Sequence, residues 1–158
     1  MPKPVVHIGT DHAGLDLSHS LIETLRGAGY TVVDHGPQSY DPVDDYPAFC
    51  IATGEAVAAD LANNVAALGI VIGGSGNGEQ ISANKVPGIR AALVWNHETA
   101  LLARQHNDAN VVAVGARQHS VQEATELVRA FLEEPFSGAE RHRRRIAQIS
   151  AYEARRSS

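Results

Sequence analysis

Short runs rich in Val and Ile alternate along the chain with stretches whose apolar positions recur every three or four residues. Val5-Val6-His7-Ile8 reads as a strand that stops at Gly9, and Leu17, Leu21, Ile22 and Leu25 then mark one face of a helix ended by Gly27 and Gly29. Thr31-Val32-Val33 predicts a second strand, followed by a polar loop through Asp45. Pro47 suits the first turn of the next helix, which carries Cys50, Val57 and Leu61. Leu68 to Ile72 is apolar without interruption, the mark of a strand covered on both faces. Ile89 to Trp95 predicts a fourth strand and Val111 to Val114 a fifth. Ser120 with Glu123 has the spacing of a capping box ahead of an apolar stripe running to Phe131, and Ser137 with Glu140 repeats it before a last helix. Five strands alternating with helices predict an α/β domain with a mainly parallel sheet; the order of the strands is not readable from the pattern.

Composition narrows the class. The 158 residues, 44% hydrophobic and 20% charged, suit one domain of about 100–200 residues with a core of its own. A single cysteine excludes a disulfide framework, a zinc ribbon and a CxxC redox site. The longest apolar stretch, Val65 to Ile72, is far short of the ~20 residues that span a bilayer, and the N-terminal Met-Pro-Lys-Pro has no signal-peptide character. The expectation is a soluble, cytoplasmic protein with no membrane partner. Charge is uneven: residues 1–140 hold seven Lys/Arg against seventeen Asp/Glu, whereas residues 141–158 hold six against one. An acidic body argues against nucleic-acid binding. The basic end suits either a single anionic group or a solvated helix end, where arginine favours the helix dipole.

Candidate chemistry gathers where open α/β sheets hold ligands, at the carboxyl ends of strands. The first strand runs into Gly9-Thr-Asp-His-Ala-Gly14, placing Asp11 and His12 there. The third runs into Gly73-Gly-Ser-Gly-Asn-Gly-Glu-Gln80, with four glycines in six residues. Such a loop lets backbone N–H groups approach a ligand, and a helix starting near Glu79 adds its positive end, so developing negative charge is stabilised there. The plain alternative is a tight turn. GTDHAG is not the dinucleotide fingerprint, and no G-K-[ST] follows the second loop. The histidines lack metal-site spacing, so no metal is expected. Glu79 is either a carboxylate that favours the helix dipole or a base beside a carbonyl whose oxyanion the loop would hold. The dipole would lower its pKa and desolvation by substrate would raise it.

His106-Asn107-Asp108 closes the helix before the fifth strand, at the amino ends of the strands and away from Asp11 and Glu79. His106 is there a helix cap, or it serves a neighbouring subunit's site. Arg117 follows the fifth strand at its carboxyl end, within reach of a phosphate. At about 100° per residue, Arg141, Arg145, Ile149 and Tyr152 share one sector of the last helix, and Arg143 points away. Arginines sharing a buried sector with apolar residues need an anionic partner, for which paired guanidinium groups and a phosphate are matched.

Taken in order, GTDHAG at 9–14, DYP at 45–47, GGSGNGEQISANKVPGIRA at 73–91, RQHNDAN at 104–110 and the R-H-x-x-R of Arg141, His142 and Arg145 resemble the type B ribose-5-phosphate isomerases, in the family that includes galactose- and allose-6-phosphate isomerases. The resemblance implies a single three-layer αβα, Rossmann-like domain over 1–158, with a C-terminal helix at about 138–155 packing on a partner subunit. It implies a homodimer with shared active sites, or a tetramer of such dimers. The implied reaction interconverts D-ribose 5-phosphate and D-ribulose 5-phosphate through a cis-enediolate without metal or organic cofactor. By the same resemblance, Asp11 and His106 assist ring opening, and Gly74, Ser75, Gly76, Asn77 and Gly78 hold the enediolate oxygens. His12, Arg117, Arg141 and Arg145 bind phosphate, while Tyr46 and Asn107 contact the sugar. Many members have a cysteine base where this chain has Gly73; the resemblance to the glycine-bearing subgroup assigns proton transfer to Glu79. Cys50 is expected in the core. The competing readings are the same chemistry on another sugar phosphate, such as allose 6-phosphate, and a non-catalytic sugar-phosphate-binding module.

Overall fold

In the computed structural model, strands β1 (Val5–Thr10), β2 (Val32–Asp34), β3 (Ala67–Gly73), β4 (Ala91–Leu93) and β5 (Val111–Gly115) form one sheet in the order β2-β1-β3-β5-β4. Every pairing is parallel, so the sheet is wholly rather than mainly parallel. The structure describes residues 2–156; Met1, Ser157 and Ser158, the ends of the expected 1–158 domain, lie outside the described residues. Helices α1 (Leu15–Gly27), α2 (Tyr46–Ala62), α3 (Asn77–Ala83), α4 (His97–Asn107), α5 (Val121–Glu133) and α6 (Glu140–Arg156) follow. None among the described residues is long and apolar enough to cross a membrane.

Strand alternation separates two cores. Val6, Ile8, Ile70, Ile72, Val112 and Val114 pack with Leu21, Leu25, Ala100, Val128 and Phe131 of α1, α4 and α5. On the opposite face, Val71, Val111 and Ala113 meet Cys50 and Val57 of α2 and Ala83 of α3. This is the expected three-layer arrangement. Gly9 and Gly69 put no side chain under α2: a Cβ at Gly9 would meet Thr53 and the Phe49 carbonyl, and one at Gly69 would lie 3.0 Å from Val57. The helix therefore rests almost on the strand backbone. The chain leaves β1 toward one sheet edge and β3 toward the other, so the β1–β3 pair is the topological switch point, the place where open α/β sheets hold ligands at their carboxyl ends.

Several boundaries differ from the sequence reading. The fourth strand is only Ala91–Leu93; before it, the Arg90 N–H donates to the Asn110 side chain at 2.8 Å. Leu61 is exposed, because the buried face of α2 is Cys50, Thr53, Gly54 and Val57. The Ser120–Glu123 capping box forms. The repeat at Ser137 does not: α6 starts at Glu140, and the Ser137 hydroxyl pairs with His142 Nδ1 at 2.9 Å instead. The sector of Arg141, Arg145, Ile149 and Tyr152 is not buried in this chain. Ile149 and Tyr152 are 53% and 56% exposed, because α6 turns His142 inward and leaves that sector outward.

Candidate active site

Asp11 follows β1 and starts a single 3-10 turn, its Oδ1 accepting the Ala13 N–H at 2.9 Å. Gly14 closes the turn because a Cβ there would strike Thr10 and Ile72. His12 is held by a residue of the polar loop: Asp44 Oδ1 accepts the His12 backbone N–H at 3.0 Å and lies 2.6 Å from its Nδ1. With a carboxylate as acceptor, that bond puts a ring proton on Nδ1 and leaves Nε2 for another partner. Asp44 Oδ2 is buried without a hydrogen-bond partner among the described residues. Asp11, His12 and Asp44 offer atoms within 4.8 Å of one another, the one such cluster among the described residues. A direct hydrogen bond already joins two of the three residues, His12 and Asp44, an arrangement suited to orienting a histidine.

The second strand end lies alongside. Past Gly73 the chain turns through Gly76, which has φ +87° and Leu93 and Val114 crowding the place of a Cβ. The Ala116 and Arg117 N–H groups donate to the Gly73 and Gly74 carbonyls, laying Arg117 over Gly74. Ser75 Oγ accepts the Asn77 N–H at 3.2 Å. Among the described residues, the N–H groups of Gly74 and Ser75 have no hydrogen-bond partner. Tyr46, the first residue of α2, lays its ring where a Gly78 side chain would stand.

Glu79, in the first turn of α3, is buried. Its carboxylate fills the place of a Cβ on Gly73. Burial, reinforced by the Asp11 charge, pushes its carboxyl above the ordinary glutamate range, against backbone N–H groups of Gly76 and Glu79 itself that pull the other way. Protein packing thus already supplies a desolvation that the sequence reading left to substrate. Cys50 is buried nearby, its thiol pushed up by burial and then by the Glu79 and Asp11 carboxylates. A thiol held protonated is a core residue.

A second group sits at the other end of the sheet. His106 and Asn107 are exposed in the last turn of α4, before Asp108, which caps the helix at φ +43°. Arg90 donates to the Asn107 and Asp108 carbonyls at 2.9 Å each, and Arg104 to Asp108 Oδ1 and the Ala109 carbonyl, so the turn is locked by two arginines. The His106 ring lies against that of His142, centroids 4.2 Å apart. Arg141 and Arg145 flank His142 and are exposed. Among the described residues, no hydrogen bond, ion pair or ring contact joins this group to Asp11, His12 or Glu79. A cavity of about 790 Å³ lies on this side, bounded by Arg90, Asn107, Ile149 and Tyr152.

The structure therefore gathers Asp11, His12, Tyr46, Gly74, Ser75, Gly76, Asn77, Gly78, Glu79 and Arg117 around the switch point, and sets His106, Asn107, Arg141 and Arg145 apart. Sequence reasoning missed Asp44 and gave no role to His142. The signal for Asp44 was the acidic run Asp41-Pro-Val-Asp-Asp45 before Tyr46, which reads as an ordinary polar loop.

Fold and site together define a doubly wound α/β protein with a shielded carboxylate beside a glycine-rich loop at the switch point of its sheet. More particularly, the chain belongs to the ribose/galactose isomerase family, which it matches over residues 6–149. It is 51% identical over 148 residues to the ribose-5-phosphate isomerase B of Mycobacterium tuberculosis, covering 94% of this chain and 89% of that one. The ribose-5-phosphate isomerase B of Escherichia coli is 38% identical over 151 residues, 96% and 97% of the two chains. The solved type B ribose 5-phosphate isomerase of Trypanosoma brucei superposes with a TM-score of 0.86 at 43% identity, over 95% of this chain and 99% of that one. The ribose-5-phosphate isomerase B of Mycoplasma genitalium, crystallised with bound ribulose-5-phosphate, gives 0.88 at 42%, over 94% and 95%.

Proposed function

We propose that the protein is an aldose–ketose isomerase that interconverts D-ribose 5-phosphate and D-ribulose 5-phosphate through a cis-enediolate, with Glu79 as the base. The family and its ribose-5-phosphate isomerase members support the reaction. The observation that supports the base is the fit of Glu79 to Gly73: the carboxylate stands against bare strand backbone, buried and with a raised proton affinity. A base poised nearer neutrality is what abstraction next to a carbonyl requires.

The furanose opens when the O1 hydroxyl proton is taken up, the C1–O4 bond breaks and a proton reaches O4; Asp11 and His106 handle these two protons. Glu79 then removes the C2 proton, and the electron pair moves through C1 onto the aldehyde oxygen. The 74–78 backbone donors, with Ser75, hold the enediolate while a proton passes from O2 to O1. Glu79 returns its proton to C1, leaving the ketone at C2. His12, oriented by Asp44, and Arg117, Arg141 and Arg145 take the phosphate; Tyr46 and Asn107 contact the sugar. Because His106 and the two α6 arginines stand apart from Glu79, one site draws them from a second copy in a homodimer. The outward sector of α6 then packs on the partner. The reaction asks for no metal, and its place is cytoplasmic carbohydrate metabolism in the pentose phosphate pathway.

The test is turnover of ribose 5-phosphate by the protein and its Glu79→Gln variant in EDTA, with allose 6-phosphate for comparison. The expected result is preference for the pentose and a loss of about 10²-fold or more in kcat for the variant, the scale of a positioned base. Undiminished turnover by Glu79→Gln would remove the base assignment. Preference for the hexose would change the substrate, and binding without turnover by the unaltered protein would leave only a sugar-phosphate-binding module.

A further inference from the structure

His106 needs a fixed ring to exchange a proton with the sugar, yet it stands exposed in the last turn of a helix. Among the described residues its side chain makes no hydrogen bond or ion pair; its one ring contact is with His142. His142, by contrast, is buried. Its Nδ1 is 2.9 Å from Ser137 Oγ. That oxygen also accepts the Ala139 N–H at 3.2 Å, so the hydroxyl links the His142 ring to the backbone just before α6. The Gln105 backbone carbonyl also faces the ring. The Ser137 N–H donates to the same Gln105 carbonyl at 3.2 Å, tying the segment before α6 to the last turn of α4.

We infer that His142 is a positioning residue for ring opening: a buried imidazole, anchored by Ser137 and the Gln105 carbonyl, that holds the His106 ring in the orientation needed to serve the sugar. This rests on the reading of His106 as a ring-opening group. The charge state suits the role. Burial first, then the charges of His106, Arg141 and Arg145, hold His142 below the usual histidine range, so near neutral pH His106 rests against an uncharged ring. A cation there would oppose protonation of His106 itself.

The two substrates separate the steps. Ribulose 5-phosphate has its C5 oxygen esterified and stays acyclic, so exchange of its C1 hydrogen with solvent needs Glu79 but no ring opening. Ribose 5-phosphate must open first. For His142→Ala the expected result is a fall of about tenfold or more in kcat on ribose 5-phosphate, with solvent-deuterium exchange at C1 of ribulose 5-phosphate within about twofold of the unaltered protein. His142→Phe, which retains a flat ring, should recover part of the loss, and Ser137→Ala, which leaves α6 intact, should show the same selective defect in weaker form. Equal losses in both assays, or none in either, would overturn the assignment. His106→Gln run in parallel distinguishes the failures: if it too slows both assays equally, the ring-opening reading of His106 falls and the inference with it. If His106→Gln is selective while His142→Ala and Ser137→Ala are not, the positioning role alone falls.

Discussion

Replacing Gly73 with alanine adds one methyl group where β3 meets the glycine-rich turn. Gly73 has ordinary backbone geometry, since its φ is not among the positive ones, so alanine is not strained there. The whole effect then falls on Glu79, whose three carboxyl heavy atoms all lie inside the envelope of the added carbon. Ordinary contact begins at 3.4 Å, so the carboxylate must retreat by more than ~1 Å. A displacement of that size at a reacting group costs ~10²-fold in rate, or about 2.7 kcal/mol of transition-state stabilisation. Steady-state turnover of ribose 5-phosphate should show this in kcat, with thermal unfolding confirming that the variant is folded. The decisive control is a cycle with Glu79→Ala. Once the carboxylate is gone the methyl group has room, and Gly73→Ala should change neither stability nor residual rate by more than about twofold. Full kcat in Gly73→Ala would contradict displacement of Glu79 as the cause, as would an equal loss in both backgrounds.

The folded-state pKa of Glu79 lies above its unfolded value, so its contribution to stability is full below the ordinary glutamate range and is lost as pH rises through the folded value. Glu79→Gln, which cannot ionise, should therefore melt above the unaltered protein at pH 7–8, and a pH series of melting temperatures should show the gap closing toward about pH 4; a constant gap would contradict the shift. Asp44→Ala removes both hydrogen bonds that orient His12. KM for ribose 5-phosphate should rise about tenfold with kcat little changed, and a kcat effect without a KM effect would contradict the phosphate role. Cys50 is buried with a raised thiol pKa, so iodoacetamide at pH 8 should label it only as fast as the protein unfolds. Rapid labelling of the native chain would place it elsewhere.

Much of this was legible in the sequence because local chemistry announces it. The Val/Ile runs, the Ser120–Glu123 box and Gly73–Gly78 each form as their pattern indicates. The strand order was not legible, since a parallel sheet is assembled from pairings far apart in sequence, such as Gly69 with Val111. The partner of His12 was hidden for the same reason: Asp44 is 32 residues away, in a loop whose composition signals only polarity. The spacing in α6 placed Arg141, Arg145, Ile149 and Tyr152 on one face correctly, but angle alone does not say which face turns inward. His142, set among arginines, faces the protein instead, and the apolar pair is left outward.

In the proposed homodimer, one site joins Glu79 of one copy to His106 of another. Glu79→Gln and His106→Gln, each assayed alone on ribose 5-phosphate, should be nearly inactive. Unfolded together in equal amounts and refolded, they should form mixed dimers as about half of the population, each with one intact site, and recover about a quarter of the unaltered activity. A mixture no more active than the sum of its two components would contradict the shared site.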